Sequence, residues 1–183
     1  MSSKYKFVEG EAVYFVTSTV VGWAEIFTRT LYRDILLDSF RHCQQYQGLN
    51  VHAWVLMPNH FHMICSFKQA NPAMVLNNIK SFTALKLIDA MINNPQESRR
   101  EWMLKLFESY GQRNKSNFRY QFWQHENQPI MLDSSVKYLQ RLNYLHENPV
   151  RAGFVSLPEH WLYSSAIDYC GLGKGLLELM ILE

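Results

Sequence analysis

Two apolar runs separated by one turn dipeptide constrain the fold of this chain more than any other feature. Residues 51–57 (VHAWVLM) and 60–67 (HFHMICSF) flank Pro58-Asn59. Turn residues between two strand-like runs are typical of a tight antiparallel hairpin. Because successive side chains of a strand point to opposite faces, His60 and His62 share one face of the second strand. The other face carries an apolar row that must pack on helices, namely Phe61, Met63, Cys65 and Phe67.

The segments around this hairpin predict the other elements of an α+β domain. Apolar periodicity and turn signals predict strands at 11–21 and 118–126, and helices at 31–47, 71–92, within 93–117 and at 132–148. The helix at 71–92 opens with Asn71-Pro72, and the last helix is expected to begin at Asp133 or Ser134 and to stop at Pro149. The order β-α-β-β-α-β-α predicts a ferredoxin-like sandwich with an antiparallel four-stranded sheet.

Length and composition favour a single domain without a membrane span. The 183 residues suit one domain over 1–183, in which 150–183 would be an extension packed on the rest. The three cysteines lack CxxC spacing and no long apolar run is present, so we expect reduced thiols and a cytoplasmic protein. The net charge is +2, but the last 32 residues hold one lysine and four acids. The remaining chain is therefore mildly basic, which is compatible with a polyanionic partner.

His60 and His62 are candidate metal ligands. Neutral imidazoles that project from the same face of a strand can offer lone pairs to one divalent cation. The alternative is that both are hydrogen-bonded structural histidines, which is the usual role of an isolated histidine. Two imidazoles do not complete a metal site, so a third ligand must come from another part of the chain. His52, His125 and His146 are expected to be structural.

The helix predicted at 132–148 could complete such a site. On a helical wheel, Lys137, Arg141, Tyr144 and Asn148 fall together, opposite an apolar side that holds Leu132, Val136, Leu139, Leu142 and Leu145. Asn148 can supply a hard amide oxygen, the two basic residues can hold phosphates, and Tyr144 can attack phosphorus. The same pattern also fits a surface tyrosine, an asparagine at a helix C-terminus and a solvated basic face.

Two blocks of the sequence, WVLMPNHFHMI (54–64) and YLHENPVRAGFV (144–155), closely resemble the signature blocks of the single-tyrosine HUH transposases. These are small bacterial insertion-sequence enzymes. The resemblance is closer to their domesticated relatives, the REP-associated tyrosine transposases. It runs from about Tyr14 to Ser165 and includes FWQ at 122–124 and HWLYSS at 160–165.

The resemblance implies a site and a reaction. It implies His60, His62 and Asn148 as ligands of Mg²⁺ or Mn²⁺, and Tyr144 rather than Tyr138 as nucleophile. The substrate it implies is single-stranded DNA beside a hairpin, from a repetitive palindrome or an insertion-sequence end. That strand would be cut and rejoined through a 5′-phosphotyrosine. Residues expected to contact this DNA are Lys137, Arg141 and Arg151.

Two other functions remain as alternatives. A hairpin-binding or single-strand-binding protein derived from such a transposase would need no divalent ion and would bind DNA with a steep salt dependence. A zinc-dependent hydrolase would need a further histidine, cysteine or carboxylate ligand beside His60 and His62. The resemblance is compatible with a homodimer and with a monomer, because mobile relatives can exchange the tyrosine helix between two copies, whereas domesticated relatives can act as monomers. The apolar end, 176–182, would dock either on its own domain or on a second copy.

Overall fold

The computed structural model describes residues 12–113, 119–125 and 129–182. Its strands are β1 (Tyr14–Thr19), β2 (Leu49–Leu56), β3 (His60–Phe67) and β4 (Ile130–Met131). Its helices are α1 (Thr30–Tyr46), α2 (Pro72–Asn93), α3 (Arg100–Gln112), α4 (Ser135–Arg151) and α5 (Ala166–Tyr169), with 3₁₀ turns at Val21–Trp23 and Pro158–His160. The strands form one antiparallel sheet in the order β2-β3-β1-β4. This is the strand order of a ferredoxin-like sandwich, and the predicted fold class is confirmed.

The hairpin predicted around Pro58-Asn59 is present as β2 and β3. Leu56 pairs with Phe61, and the Met57 amide donates to the His60 carbonyl oxygen at 2.8 Å. Only two residues therefore separate the hydrogen-bonded ends of the strands. On its other side β3 pairs with β1, and this pairing sets Thr17 opposite His62 and Thr19 opposite His60.

The two faces of the sheet have different coverings. The predicted apolar row of β3 is buried in the main core together with α1 and α2 side chains such as Leu36, Phe40 and Ile79. The opposite face carries a smaller apolar cluster, in which Phe15 and Ile64 pack with Leu142 and Leu145 of α4. His60 and His62 alternate with the buried row, so they lie on the face that α4 covers.

The strand predicted at 118–126 is wrong. Of its described residues, 119–125, only Trp123 makes a strand-type bridge, with Val20. The fourth strand is Ile130–Met131, which pairs with Tyr14 and Phe15. The aromatic composition that suggested a strand has another cause, because Phe122 and Trp123 are buried in the main core. Burial of a loop and burial of a strand leave the same apolar signal.

Pro149 does not end α4, and the predicted stop there is also wrong. The helix runs to Arg151 and ends where Gly153 adopts a left-handed φ of 76°. The Phe154 amide donates to the Pro149 carbonyl at 2.9 Å and the Gly153 amide to the Val150 carbonyl at 2.9 Å, which is a Schellman motif. A proline in the last turn removes only one helical hydrogen bond, because its nitrogen carries no hydrogen. The two hydrogen bonds of the Schellman motif stabilise the helix end after it. The N-terminal prediction holds, since Ser134 caps the helix.

The buried side of α4 differs from the predicted apolar side. Val136 and Leu139 are 63% and 54% exposed, whereas Leu142, Leu145 and Pro149 are buried. The helix is rotated about its axis so that the side chain of Arg141 lies over Phe15 of the sheet. Because of this rotation, the polar residues of α4 border the sheet and do not face away from it.

The segment after α4 packs along the free edge of β2. The Leu56 amide donates to the Tyr163 carbonyl at 2.8 Å, and the Met180 amide donates to the Val51 carbonyl at 2.9 Å. Leu177 is buried in the main core, so the described tail docks on its own domain. Covering an edge strand in this way removes a surface on which other chains could pair. None of the described helices has the length and apolar content needed to cross a membrane.

Candidate active site between the sheet and α4

His60 and His62 lie side by side at the start of β3. Their ring centroids are 4.8 Å apart, with the ring planes at 70°. His62 is 5% exposed and His60 is partly buried. The two histidines therefore share one face of the strand, as predicted, and their imidazoles lie next to each other.

Strand β1 orients the ring of His62. The Thr17 hydroxyl lies 2.7 Å from His62 Nδ1, and the Phe15 ring stacks on the imidazole at 5.2 Å. His62 Nε2 is buried and has no hydrogen-bond partner within the described part of the chain. Burial, with smaller contributions from the charges of His60 and Arg141, lowers the pKa of His62 to about 3. The neutral imidazole thus has a nitrogen without a partner, as a metal ligand requires.

Asn59 orients the ring of His60. The distance from Asn59 Oδ1 to His60 Nδ1 is 2.6 Å, and an amide oxygen can only accept, so Nδ1 carries the proton. The Asn59 amide nitrogen donates to the Trp23 carbonyl at 3.4 Å, which keeps Oδ1 directed at the imidazole. Burial lowers the pKa of His60 to about 4. The lone pair of His60 is therefore on Nε2.

Tyr144 reaches the histidine pair within one chain. Its ring centroid is 5.3 Å from that of His62 and 6.1 Å from that of Phe15, in edge-to-face contacts. Tyr138 is directed elsewhere, because its hydroxyl lies 2.9 Å from that of Tyr169. The structure thus brings Tyr144, and not Tyr138, to the imidazoles.

Asn148 lies inside α4, one turn beyond Tyr144, and is partly buried. Because the helix continues to Arg151, Asn148 is not a C-terminal capping residue. Residues four apart on a helix are neighbours, so its amide is presented on the same side as the Tyr144 ring.

The candidate metal donors at this site are few. Within the described ranges, no group of three or more histidine, cysteine, aspartate or glutamate side chains could hold a metal ion. The third histidine, cysteine or carboxylate ligand that a zinc hydrolase would need is thus missing from this part of the chain. Two imidazole nitrogens and a neutral amide oxygen remain as the candidate set, and Mg²⁺ and Mn²⁺ accept oxygen ligands together with water.

Two of the three predicted DNA-contacting cations flank Tyr144. The guanidinium of Arg141 lies 6.0 Å from the centre of the Tyr144 ring, and that of Arg151 lies 5.7 Å from it. Lys137 is two helical turns away and pairs with Asp133 at 2.8 Å on the surface. Positive charge is therefore concentrated around the phenol, and Lys137 does not contribute to it directly.

Sequence reasoning missed the residues that hold the two imidazoles. Asn59 was assigned only a turn role, although a side chain directly before a histidine can reach its ring nitrogen. Thr17 could have been identified only from the pairing of β1 with β3, which local patterns do not give. His52 and His146 are hydrogen-bonded to Ser66 and Ser165, at 2.9 Å in both cases, in agreement with their predicted structural roles.

The candidate site lies outside the cavity that α2 borders. A cavity of about 600 Å³ lies between α2 and residues 119–125, on the other side of the sheet, and contains none of His60, His62, Tyr144 or Asn148. The candidate active site lies at the junction of β1, β3 and α4, where Arg141 and Arg151 supply positive charge.

Comparison with known proteins adds a fold relationship. No family model and no curated protein matches the sequence. The structure of a REP-associated tyrosine transposase bound to a REP hairpin is similar to this chain, with a TM-score of 0.64 and 15% identity, over 100% of this chain and 94% of that one. A candidate transposase from Deinococcus radiodurans has a TM-score of 0.46 and 15% identity, over 80% of this chain and 97% of that one. The first comparison shows a shared fold.

Proposed function

We propose that this chain is a metal-dependent single-stranded DNA endonuclease and strand transferase that acts beside DNA hairpins. The observation that carries the proposal is the contact of the Tyr144 ring with His62 within a single chain. The imidazoles of His60 and His62 are both hydrogen-bonded at Nδ1, so their Nε2 atoms remain for a ligand. The similarity in fold to a transposase that binds a REP hairpin supports hairpin DNA as the substrate class.

In the proposed reaction, the phenolic oxygen of Tyr144 attacks a backbone phosphorus. The bond from phosphorus to the 3′-oxygen breaks, the phenolic proton passes to water, and the departing oxygen takes a proton to become a 3′-hydroxyl. The products are a 5′-phosphotyrosine and a free 3′-end, and attack by a 3′-hydroxyl on the phosphotyrosine rejoins the strand. The energy of the cleaved bond is kept in the covalent link, so the reaction needs no nucleotide cofactor.

The other residues of the site would bind the metal ion and the neighbouring phosphates. His60, His62 and Asn148 would bind Mg²⁺ or Mn²⁺, and the ion would neutralise charge that develops on the non-bridging oxygens. The guanidinium groups of Arg141 and Arg151 lie 6.0 Å and 5.7 Å from the centre of the Tyr144 ring, from where they can donate to neighbouring phosphates. Phe15 excludes water from one side of His62.

The test is covalent capture of DNA in the presence of Mn²⁺. The substrate is a pool of single strands with a random hairpin and random flanks, labelled at the 3′-end because the protein would stay on the 3′ fragment. We expect wild type and Tyr138→Phe to form an adduct that survives denaturation, and Tyr144→Phe to form none. Tyr138→Phe is the matched control, since it removes a phenol from the same helix. An adduct in the Tyr144→Phe reaction would disprove the assignment of the nucleophile.

A second function, hairpin binding without cleavage, is favoured by one observation. His62 is only 5% exposed and is covered by the Phe15 and Tyr144 rings. If these rings never separate, no phosphate reaches the imidazoles, and the basic surface serves for binding alone. Wild-type protein would then bind the hairpin pool equally well in Mn²⁺ and in chelator and would form no adduct.

A further inference from the structure

We propose that Trp23 is a stacking site for an unpaired nucleobase of the DNA strand that passes His60. The inference rests on the proposed function and adds a binding element outside both sequence blocks that carry the family resemblance. Its chemistry is that of base–aromatic stacking, which tolerates any base because every base has a π-face.

The indole of Trp23 is available to a ligand. Its side chain is 62% exposed, the larger value of the two strongly exposed tryptophans in the described part of the chain. Trp102 on α3 is the next, at 47%. An exposed indole beside a candidate phosphate site offers a π-face on which a base can stack.

The backbone at Trp23 has an energetically unfavourable conformation. Gly22 and Trp23 have consecutive left-handed φ values of 63° and 56°, and such values are rare for a bulky residue. Gln69 is the other non-glycine residue with a positive φ in the described ranges. Strained backbone of this kind persists only where the surroundings determine it, and it clusters at functional sites.

Neighbouring segments fix this conformation. The Trp23 amide donates to the Val20 carbonyl at 3.1 Å, and the Val21 amide donates to the Phe122 carbonyl at 2.9 Å. The Trp23 carbonyl accepts from Asn59, the residue that orients His60. The turn that presents the indole is therefore tied to the same residue that orients a candidate metal ligand.

The position of the indole relates it to the phosphate site. The Trp23 ring lies 6.4 Å from the His60 ring, at 72°. A phosphate held at His60 and His62 belongs to nucleotides whose bases lie beside it. The base on the Trp23 side can then cover the exposed indole. Trp23 would thus bind the single-stranded flank of the substrate, and the hairpin stem would bind elsewhere.

The experiment measures DNA binding in a Tyr144→Phe background with chelator present, so that neither cleavage nor metal contributes. The probes are a hairpin with a single-stranded flank and the same hairpin with blunt ends, both selected from the random pool by binding to this background protein. We expect Trp23→Ala to weaken binding of the flanked hairpin by about 5-fold to 150-fold and to leave the blunt hairpin unchanged. Trp102→Ala, the matched control, should bind both probes as the parent does.

A second variant separates binding from folding. Trp23→Gly removes the indole and also relieves the left-handed strain, so its melting temperature should equal or exceed that of the parent while its binding of the flanked hairpin falls. Unchanged binding by Trp23→Ala, or equal loss with both probes, would overturn the inference. Weakened flank binding without any covalent adduct in wild type would uphold the role of Trp23 and reject the proposed cleavage.

Discussion

At the scale of single residues, the two imidazoles differ in what holds them. His62 is set by a residue 45 positions earlier, Thr17, whereas His60 is set by its direct neighbour Asn59. In both cases the hydrogen bond is made at Nδ1, which leaves Nε2 for a ligand. The Asn59 amide oxygen can only accept and so fixes the tautomer of His60, whereas the Thr17 hydroxyl fixes the ring direction of His62.

We expect Asn59→Ala to weaken Mn²⁺ binding by about 10-fold to 100-fold, because the His60 ring loses the acceptor that fixes its tautomer. Titration with Mn²⁺ followed by electron paramagnetic resonance gives the affinity. The ¹⁵N shifts of the His60 ring in the metal-free protein report the tautomer directly. Asn78→Ala is the control, since Asn78 lies on the exposed side of α2. Equal Mn²⁺ affinity in both variants would show that Asn59 does not position His60.

Much of this residue-scale arrangement could be predicted from sequence. Strand alternation is enough to place His60 and His62 together, and helical periodicity is enough to separate Tyr144 from Tyr138. Thr17 could not be found in this way, because its partner depends on the register of strands that are far apart in the chain. Local patterns carry no information on such a register.

At the scale of elements, one buried carboxylate joins α3 to the loop before α1. The side chain of Glu97 is fully buried and pairs with Arg29 at 2.7 Å and Arg99 at 3.0 Å. Arg99 also donates to the Glu25 carbonyl at 2.7 Å, so the cluster ties the segment before α1 to the segment before α3. Burial alone would raise the pKa of Glu97, but hydrogen bonds and charge from Arg99, with a hydrogen bond from Arg29, lower it to about 2.

Glu97→Gln is expected to lower the free energy of unfolding by about 3 kcal/mol at pH 7. Because the folded-state pKa lies below the ordinary value near 4.5, this stabilisation is complete above that value and is lost as the pH falls towards 2. The difference between wild type and variant should therefore shrink to about 1 kcal/mol at pH 3. Urea unfolding at several pH values measures it.

The control for Glu97→Gln is Glu101→Gln, which breaks the exposed pair with Lys105 on α3. Exposed pairs contribute little to stability, so this variant should unfold as wild type does at every pH. A pH-independent difference between wild type and Glu97→Gln would contradict the buried-charge explanation.

Element boundaries were less predictable than element types. The helix of Tyr144 was predicted to stop at Pro149, because proline is unfavourable inside helices. Gly153, four residues further, decides the true end by taking a left-handed conformation. The extra turn contributes to the candidate site, since it places Arg151 over the Tyr144 ring. The strand predicted at 118–126 is absent because the aromatic residues of this segment are buried as part of a loop, and their composition resembles that of a strand.

At the scale of the whole molecule, one chain assembles the complete candidate site. Strand β1 supplies Thr17, β3 supplies the imidazoles, and α4 of the same chain supplies Tyr144. This arrangement differs from an exchange of the tyrosine helix between two copies, an alternative that the sequence left open. These elements meet because β1 and β3 are neighbours in the sheet. The sequence of strands and helices along the chain was sufficient to predict this topology.

Mixing two inactive variants distinguishes the arrangements. We expect an equimolar mixture of His62→Ala and Tyr144→Phe to form no covalent DNA adduct in Mn²⁺, because each chain lacks part of its own site. In a helix-exchanged dimer, a mixed pair would contain one intact site and the adduct would return. The mixture is compared with each variant alone and with wild type at one quarter of the concentration.

The length of the connection between β2 and β3 has a consequence for how such a protein can change over evolution. With two residues between the paired ends, one inserted residue would exchange inside and outside along the whole of β3. The side chains of Phe61 and Met63 would then lie on the face that α4 covers, and the two imidazoles would be buried in the main core. A change in the length of this turn must therefore be compensated by a second residue or by a bulge, and Asn59 must remain as the acceptor for His60.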